Sequence, residues 1–169
     1  MTGDVTVRPA RPHELAAVGE LTLESYVADG LLDRADSYAV QLRDAARRSR
    51  DAELLVAVDG SDRLLGTVTV CEPGSPFGEI SCEGELEFRM LAVIPEARGR
   101  GIGELLARAV LGRATERDVR QVVLSSSVRM TPAHRLYARL GFTRLPERDW
   151  HPVPGVELLA FGLVRNVNG

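Results

Sequence analysis

The chain has 169 residues, 44% of them hydrophobic, enough for one well-buried core and too few for two, so residues 1–169 are expected to form a single domain. The formal charge is −3 and arginines are scattered among acidic residues, so no basic stripe marks a nucleic-acid or membrane partner. All 21 basic residues are arginine, which excludes lysine Schiff-base chemistry and the lysine of a Walker phosphate loop.

In chain order, Val5-Thr6-Val7-Arg8 alternates like a short strand closed by Pro9 and Pro12. Leu15, Val18 and Leu21 or Thr22 recur at helical spacing from His13 to Ser25, and Pro12 suits the first turn of that helix. Residues 26–34 break the periodicity and read as a connector. Asp36 is placed to cap a second helix with Tyr38, Leu42 and Ala45 or Ala46 on one face, whose terminal Arg47, Arg48 and Arg50 read as a solvated end.

Residues 53–58 and 64–70 are β-rich runs around Asp59-Gly60-Ser61-Asp62, the pattern of an antiparallel hairpin. The loop at 72–84 leads into the longest strand, Glu85 to Ile94. Its period of two sets Glu85, Glu87 and Arg89 on one face with Leu91 and Val93, unless a bulge intervenes. After Gly99, Gly101 and Gly103, a stripe of Ile102, Leu105, Leu106, Ala109, Val110 and Ala114 predicts a helix to about Arg117. Gln121 to Ser127 is a buried-type strand. Thr131 as N-cap and Pro132 at the first helical position open a helix that Gly141 stops. Residues 142–145 and 156–164 read as two last strands around a proline-rich loop holding Trp150.

Cys71 and Cys82 have no CxxC spacing and there are only three histidines, so no metal site or disulfide framework is indicated and a reducing cytoplasm fits. No signal-like opening or membrane-length apolar run occurs, and a soluble protein is expected.

The glycine segment 98–103 sits between a strand and a helix, where outward-turned N–H groups and the helix dipole favour an anion. A dinucleotide fingerprint fits poorly. The glycines run GxGxG, four strands precede them, and no acidic residue ends the next strand. Arg98-Gly99-Arg100-Gly101-Ile102-Gly103 instead satisfies Arg/Gln-x-x-Gly-x-Gly/Ala. With Leu91-Ala92-Val93-Ile94-Pro95 before it and Leu136-Tyr137-Ala138-Arg139-Leu140-Gly141-Phe142 later, the chain resembles a GNAT superfamily N-acetyltransferase over nearly its whole length.

That resemblance implies an α+β (α/β/α) fold: a mixed, mostly antiparallel seven-stranded sheet splayed between strands 4 and 5, with about four helices. It implies acetyl-CoA as co-substrate, no metal, and direct transfer to a primary amine on a small molecule or peptide. The alternative is a non-catalytic acyl-CoA-binding sensor on the same scaffold. Leu91, Ala92 and Val93 would meet the pantetheine arm through their main chain, and Arg98, Gly99, Arg100, Gly101, Ile102 and Gly103 the pyrophosphate. The N–H near Val93 would face the oxyanion. Tyr137 matches the tyrosine that protonates the CoA sulfur, against a reading as aromatic core. Glu87 matches the strand glutamate used as general base in the histone-acetylating branch. Glu85 shares its face, an ion pair of Glu87 with Arg89 is the structural alternative, and in many relatives water relays the proton.

Many relatives carry an asparagine where this chain has Met130-Thr131, and Ser125, Ser126 or Ser127 are candidates to replace that contact. Acceptor walls are expected from residues 25–38, 72–84 and 146–155. The acidic excess of Glu72, Glu79, Glu83, Glu147 and Asp149 over Arg148 hints at a cationic amine. A homodimer through the terminal edge strand is a further expectation by resemblance.

Overall fold

The structure is a computed structural model that describes residues 4–165. They divide into two compact units: one runs to Val70 and resumes over Met90–Val110, and the other takes Cys71–Arg89 and the chain from Leu111. The strands form one seven-stranded sheet in the order β1-β2-β3-β4-β5-β7-β6. Its strands are β1 (Thr6–Pro9), β2 (Glu53–Val58), β3 (Leu64–Cys71), β4 (Glu85–Val93), β5 (Gln121–Ser127), β6 (Thr143–Arg144) and β7 (Leu158–Val164). The helices are α1 (Leu15–Ala28), α2 (Tyr38–Arg43), α3 (Ala45–Asp51), α4 (Ile102–Glu116) and α5 (Thr131–Leu140). The expected mixed α+β architecture is present. None of the described helices is long and apolar enough to cross a membrane.

In the first unit, β1 pairs antiparallel with β2 and β2 with β3, joined by a turn in which Asp59 Oδ1 accepts the N–H groups of Ser61 and Arg63 at 2.8 and 3.0 Å. Val18, Ala45, Leu54, Val56 and Val58 form one buried cluster, and Leu23, Ala39, Leu42 and Met90 another. Helix α1 runs on to Ala28, three residues past the expected end.

The single second helix expected from residue 36 is divided in two. Asp44 leaves helical geometry and caps α3 by accepting the Arg47 N–H. Arg48 is not solvated. It is fully buried and donates to the carbonyls of Gln41 and Leu42 at 2.7 and 2.9 Å, satisfying the orphaned C-terminal carbonyls of α2. Arg47 and Arg50 are exposed, as expected.

Glu14 is buried at the entry to α1, where both Arg8 guanidinium Nη atoms donate to it at 2.8 Å. The Arg8 bonds, opposed by burial and helped by the Arg11 N–H, pull its carboxyl down from 4.5 to about 2. A depressed carboxyl stabilises the fold above its unfolded value and loses that contribution as pH falls. Acid unfolding monitored by circular dichroism should therefore show a stability loss between about pH 4.5 and 2 that Glu14→Gln removes.

In the second unit, β5 pairs antiparallel with β7 over all seven of its residues, and β7 with β6. Glu85–Glu87 of β4 pair in parallel with Gln121–Val123 of β5, and the register stops there although β4 runs on to Val93. Helix α5 ends at Gly141 with φ 100°, as its sequence required, but Met130 rather than Thr131 is the N-cap, without a side-chain cap bond.

Candidate active site

In the second unit, the first part of β4 carries the charged residues Glu85, Glu87 and Arg89. Its alternation holds in direction but not in burial, because Glu85, Leu86, Glu87 and Phe88 are all buried. The polar face is covered by residues 77–82, which its charged side chains grip by the main chain. Glu85 Oε1 accepts the Cys82 N–H at 2.8 Å, and Glu87 Oε1 accepts those of Glu79, Ile80 and Ser81 at 2.8, 3.0 and 3.0 Å. Arg89 donates to the Phe77 carbonyl at 3.0 Å and pairs with Glu79 at 2.9 Å. Arg89 therefore holds Glu79 of the covering segment through an ion pair.

The two strand carboxylates differ in what is left over. Both Glu85 oxygens are engaged, by Arg148 at 2.7 and 3.0 Å, by the Cys82 N–H, and by Arg120 at 3.6 Å. Burial works to raise the Glu85 carboxyl, but the Arg148 and Cys82 bonds and the two guanidinium charges outweigh it and hold it low. Glu87 is also fully buried, yet its Oε2 has no hydrogen-bond partner among the described residues. A buried acceptor without a donor is costly in a merely structural carboxylate. Glu79 is pushed up by burial, more than the Arg89 charge lowers it, with Glu87 adding to the rise.

Tyr137 is 5% exposed and sits among Phe88, Phe142 and Phe161 at ring-centroid distances of 5.9, 5.8 and 5.9 Å. Burial raises its phenol well above the ordinary value, so it stays protonated and able to donate. It meets β4 through Phe88, whose side chain leaves the strand opposite to Glu87. Tyr137 is thus packed in an aromatic cluster with its phenol held protonated.

The three serines at the end of β5 all have partners. Ser125 Oγ lies 3.2 Å from the Trp150 indole Nε1, Ser126 Oγ 3.2 Å from His134 Nε2, and Ser127 Oγ accepts the Arg129 N–H.

The glycine segment belongs to the first unit. Gly99 and Gly101 have φ of 80° and 76°, left-handed backbone that side chains disfavour, and Ile102 then starts α4 with its side chain buried. The first N–H groups of α4, including that of Gly103, have no intrahelical acceptor, as at any helix N-terminus. Ile102, Leu106, Ala107, Val110 and Ala114 make the buried stripe; Leu105 and Ala109 are only half-buried.

The two loop arginines part company. Arg98 pairs with Asp29, donates to Ser25 Oγ at 3.1 Å and reaches the Val93 carbonyl through Nε at 3.2 Å. Ser25 Oγ donates to the same carbonyl at 3.2 Å. Arg98 thus ties the end of α1 to the end of β4, while Arg100 has no ion-pair partner among the described residues. Leu91 and Val93 are half-buried and Ala92 is buried. Met90 between these segments has φ 55° and inserts its side chain among Leu23, Ala39 and Leu42, an irregularity of the kind that re-aims a strand.

Sequence reasoning did not single out Ser25, Asp29 or Arg148. A serine and an aspartate near a helix end and an arginine in a loop carry no local pattern, and only the fold supplies their partners. No cluster of metal-ligating side chains occurs among the described residues.

A family model described as the Acetyltransferase (GNAT) family matches residues 16–142. A mycothiol acetyltransferase of Pseudarthrobacter chlorophenolicus is 34% identical over 149 residues, 83% of this chain and 43% of that protein. The PaiA N-acetyltransferase of Thermoplasma acidophilum, solved in complex with coenzyme A, has a TM-score of 0.74 at 15% identity over 95% of this chain and 99% of its own. YncA of Salmonella typhimurium, solved with acetyl-CoA, has a TM-score of 0.67 at 19% identity over 96% of this chain and 94% of its own. The chain spans less than half the length of the mycothiol acetyltransferases it matches. The family match reaches from α1 across β4, the glycine loop and α4 to the end of α5, and on that ground the chain belongs to the GNAT acetyltransferase family.

Proposed function

We propose that the chain works as one domain, an acetyl-CoA-dependent N-acetyltransferase that passes the acetyl group directly to a primary amine. The observation that carries the reading is the pair of left-handed glycines, Gly99 and Gly101, in the connection from β4 to the N-terminus of α4. A diphosphate needs N–H donors without Cβ obstruction and a positive field, and both arise there. Gly99 to Gly103 hold the pyrophosphate, with Arg100 adding charge and Arg98 fixing the loop to Asp29. The main chain of Leu91, Ala92 and Val93 takes the pantetheine arm as an added strand would, and the Val93 N–H faces the oxyanion.

The thioester supplies an activated acyl group; the protein must accept one proton and donate another. Glu87 accepts the amine proton, directly or through one water, because Oε2 is the carboxylate oxygen on this face that the protein leaves without a donor. Glu85 is excluded from that role by its pairing with Arg148. Tyr137, whose phenol is kept protonated by burial, donates to the departing thiolate.

The acceptor is a primary amine on a small molecule or peptide. The acidic excess of the surrounding loops does not favour a cation, since Glu72, Glu79 and Asp149 pair with Arg117, Arg89 and Arg144. Amino acids, polyamines, aminoglycosides and peptide N-termini form the test panel. Acetyl-CoA should bind and be consumed with at least one of them, with thioester loss followed spectrophotometrically. Tyr137→Phe should lower kcat about tenfold or more while the calorimetric Kd for acetyl-CoA stays unchanged. Equal turnover would remove Tyr137 from the mechanism, and tight acetyl-CoA binding without any acceptor would identify a non-catalytic acyl-CoA sensor.

A further inference from the structure

Arg148 lies outside β4 and belongs to the proline-rich segment after β6, in a short turn of Pro146–Arg148. Its guanidinium reaches both oxygens of the fully buried Glu85, at 2.7 and 3.0 Å, and also the carbonyl of Ile80 at 3.3 Å. Ile80 is the middle of the three residues whose N–H groups hold Glu87 Oε1. The same guanidinium therefore fixes the far side of the peptide segment that orients the carboxylate. Glu85 contributes twice, by orienting Arg148 and by accepting the Cys82 N–H at the segment's end.

We propose that Arg148 is a positioning residue for the transfer, holding residues 79–81 so that their amides present Glu87 Oε2 to the acceptor amine. The inference rests on the reading of Glu87 as proton acceptor. A bidentate guanidinium–carboxylate pair fixes direction as well as distance, and here it adds a third bond to a main-chain carbonyl. Lysine, with a single ammonium, cannot span both Glu85 oxygens and the Ile80 carbonyl in that fork geometry. The tie also joins the two loops expected to wall the acceptor, residues 72–84 and 146–155, so a change in one is transmitted to the other.

Two readouts test the proposal. In Arg148→Met, amide hydrogen exchange at Glu79, Ile80 and Ser81 should accelerate about tenfold or more. Removing the Arg148 cation leaves the buried Glu85 with only the Cys82 N–H and the more distant Arg120 guanidinium, so Glu85→Leu/Arg148→Met, an apolar replacement of the whole pair, keeps the measurement readable should the single variant not fold. With the amine that turns over fastest in the panel, either variant should lower kcat about tenfold while KM for acetyl-CoA moves less than about twofold. In a Glu87→Gln background the same change should have no further effect on kcat, because residues acting through one group are not additive. Exchange at 79–81 equal to that of the parent protein overturns the proposal, as does a full multiplicative loss in the Glu87→Gln background. If Glu87→Gln alone leaves kcat unchanged while exchange still accelerates, the proton-acceptor reading has failed and the tie is only structural.

Discussion

Glu87→Gln should lower kcat by about a hundredfold or more, the range for loss of a positioned general base. The substitution suits the question because the amide oxygen can still accept the three N–H bonds from residues 79–81, leaving the segment in place. What changes is Oε2, which becomes an amide nitrogen that cannot take a proton. The loss should appear in kcat and kcat/KM together, with the Kd for acetyl-CoA unaffected, because the segment proposed to hold acetyl-CoA, residues 91–103, makes no use of the carboxylate. A kcat within about twofold of the parent protein would mean that water carries the proton without this residue. Glu85→Gln is no substitute for the experiment, since it breaks a buried pair with Arg148 and reports on stability.

The second large effect concerns the donor. Gly101→Val should raise the acetyl-CoA Kd about 10- to 100-fold, corresponding to about 1–3 kcal/mol for forcing a β-branched residue into left-handed backbone or rebuilding the loop without it. Gly101 has φ 76° and is exposed, so the loop can rearrange without unfolding the core, and the cost falls on the N–H array. Gly60→Ala is the control, because a Cβ there meets nothing within 4 Å and its φ is unremarkable. Isothermal calorimetry on both variants decides. An unchanged Kd in Gly101→Val would place the pyrophosphate elsewhere.

The parts of this fold that were legible in the sequence have local causes. Gly141 announces the end of α5 because only a left-handed residue closes a helix that way, and Asp59-Gly60-Ser61-Asp62 announces the hairpin because Asp59 can bond its own turn. The glycine loop was readable for the same reason. The division at Asp44 was not, because an aspartate in an amphipathic run reads as a surface residue until its cap bond to Arg47 is seen. Arg48 was misread as solvated since a basic helix end looks alike whether it faces water or the carbonyls of a preceding helix. At the site, period two alone put Glu85, Glu87 and Arg89 on one face. Nothing in the sequence told which carboxylate would be saturated by Arg148 and which would keep a free oxygen, because that depends on a partner more than sixty residues away.

Because Glu87 is held by main-chain N–H groups, the identities of Ile80 and Ser81 do not enter the contact. Residues 80 and 81 can therefore change side chain while the carboxylate keeps its place, subject to a single prohibition: proline, which would delete a donor. On the proposal that residues 72–84 wall the acceptor, randomising these two side chains should alter amine preference without displacing Glu87.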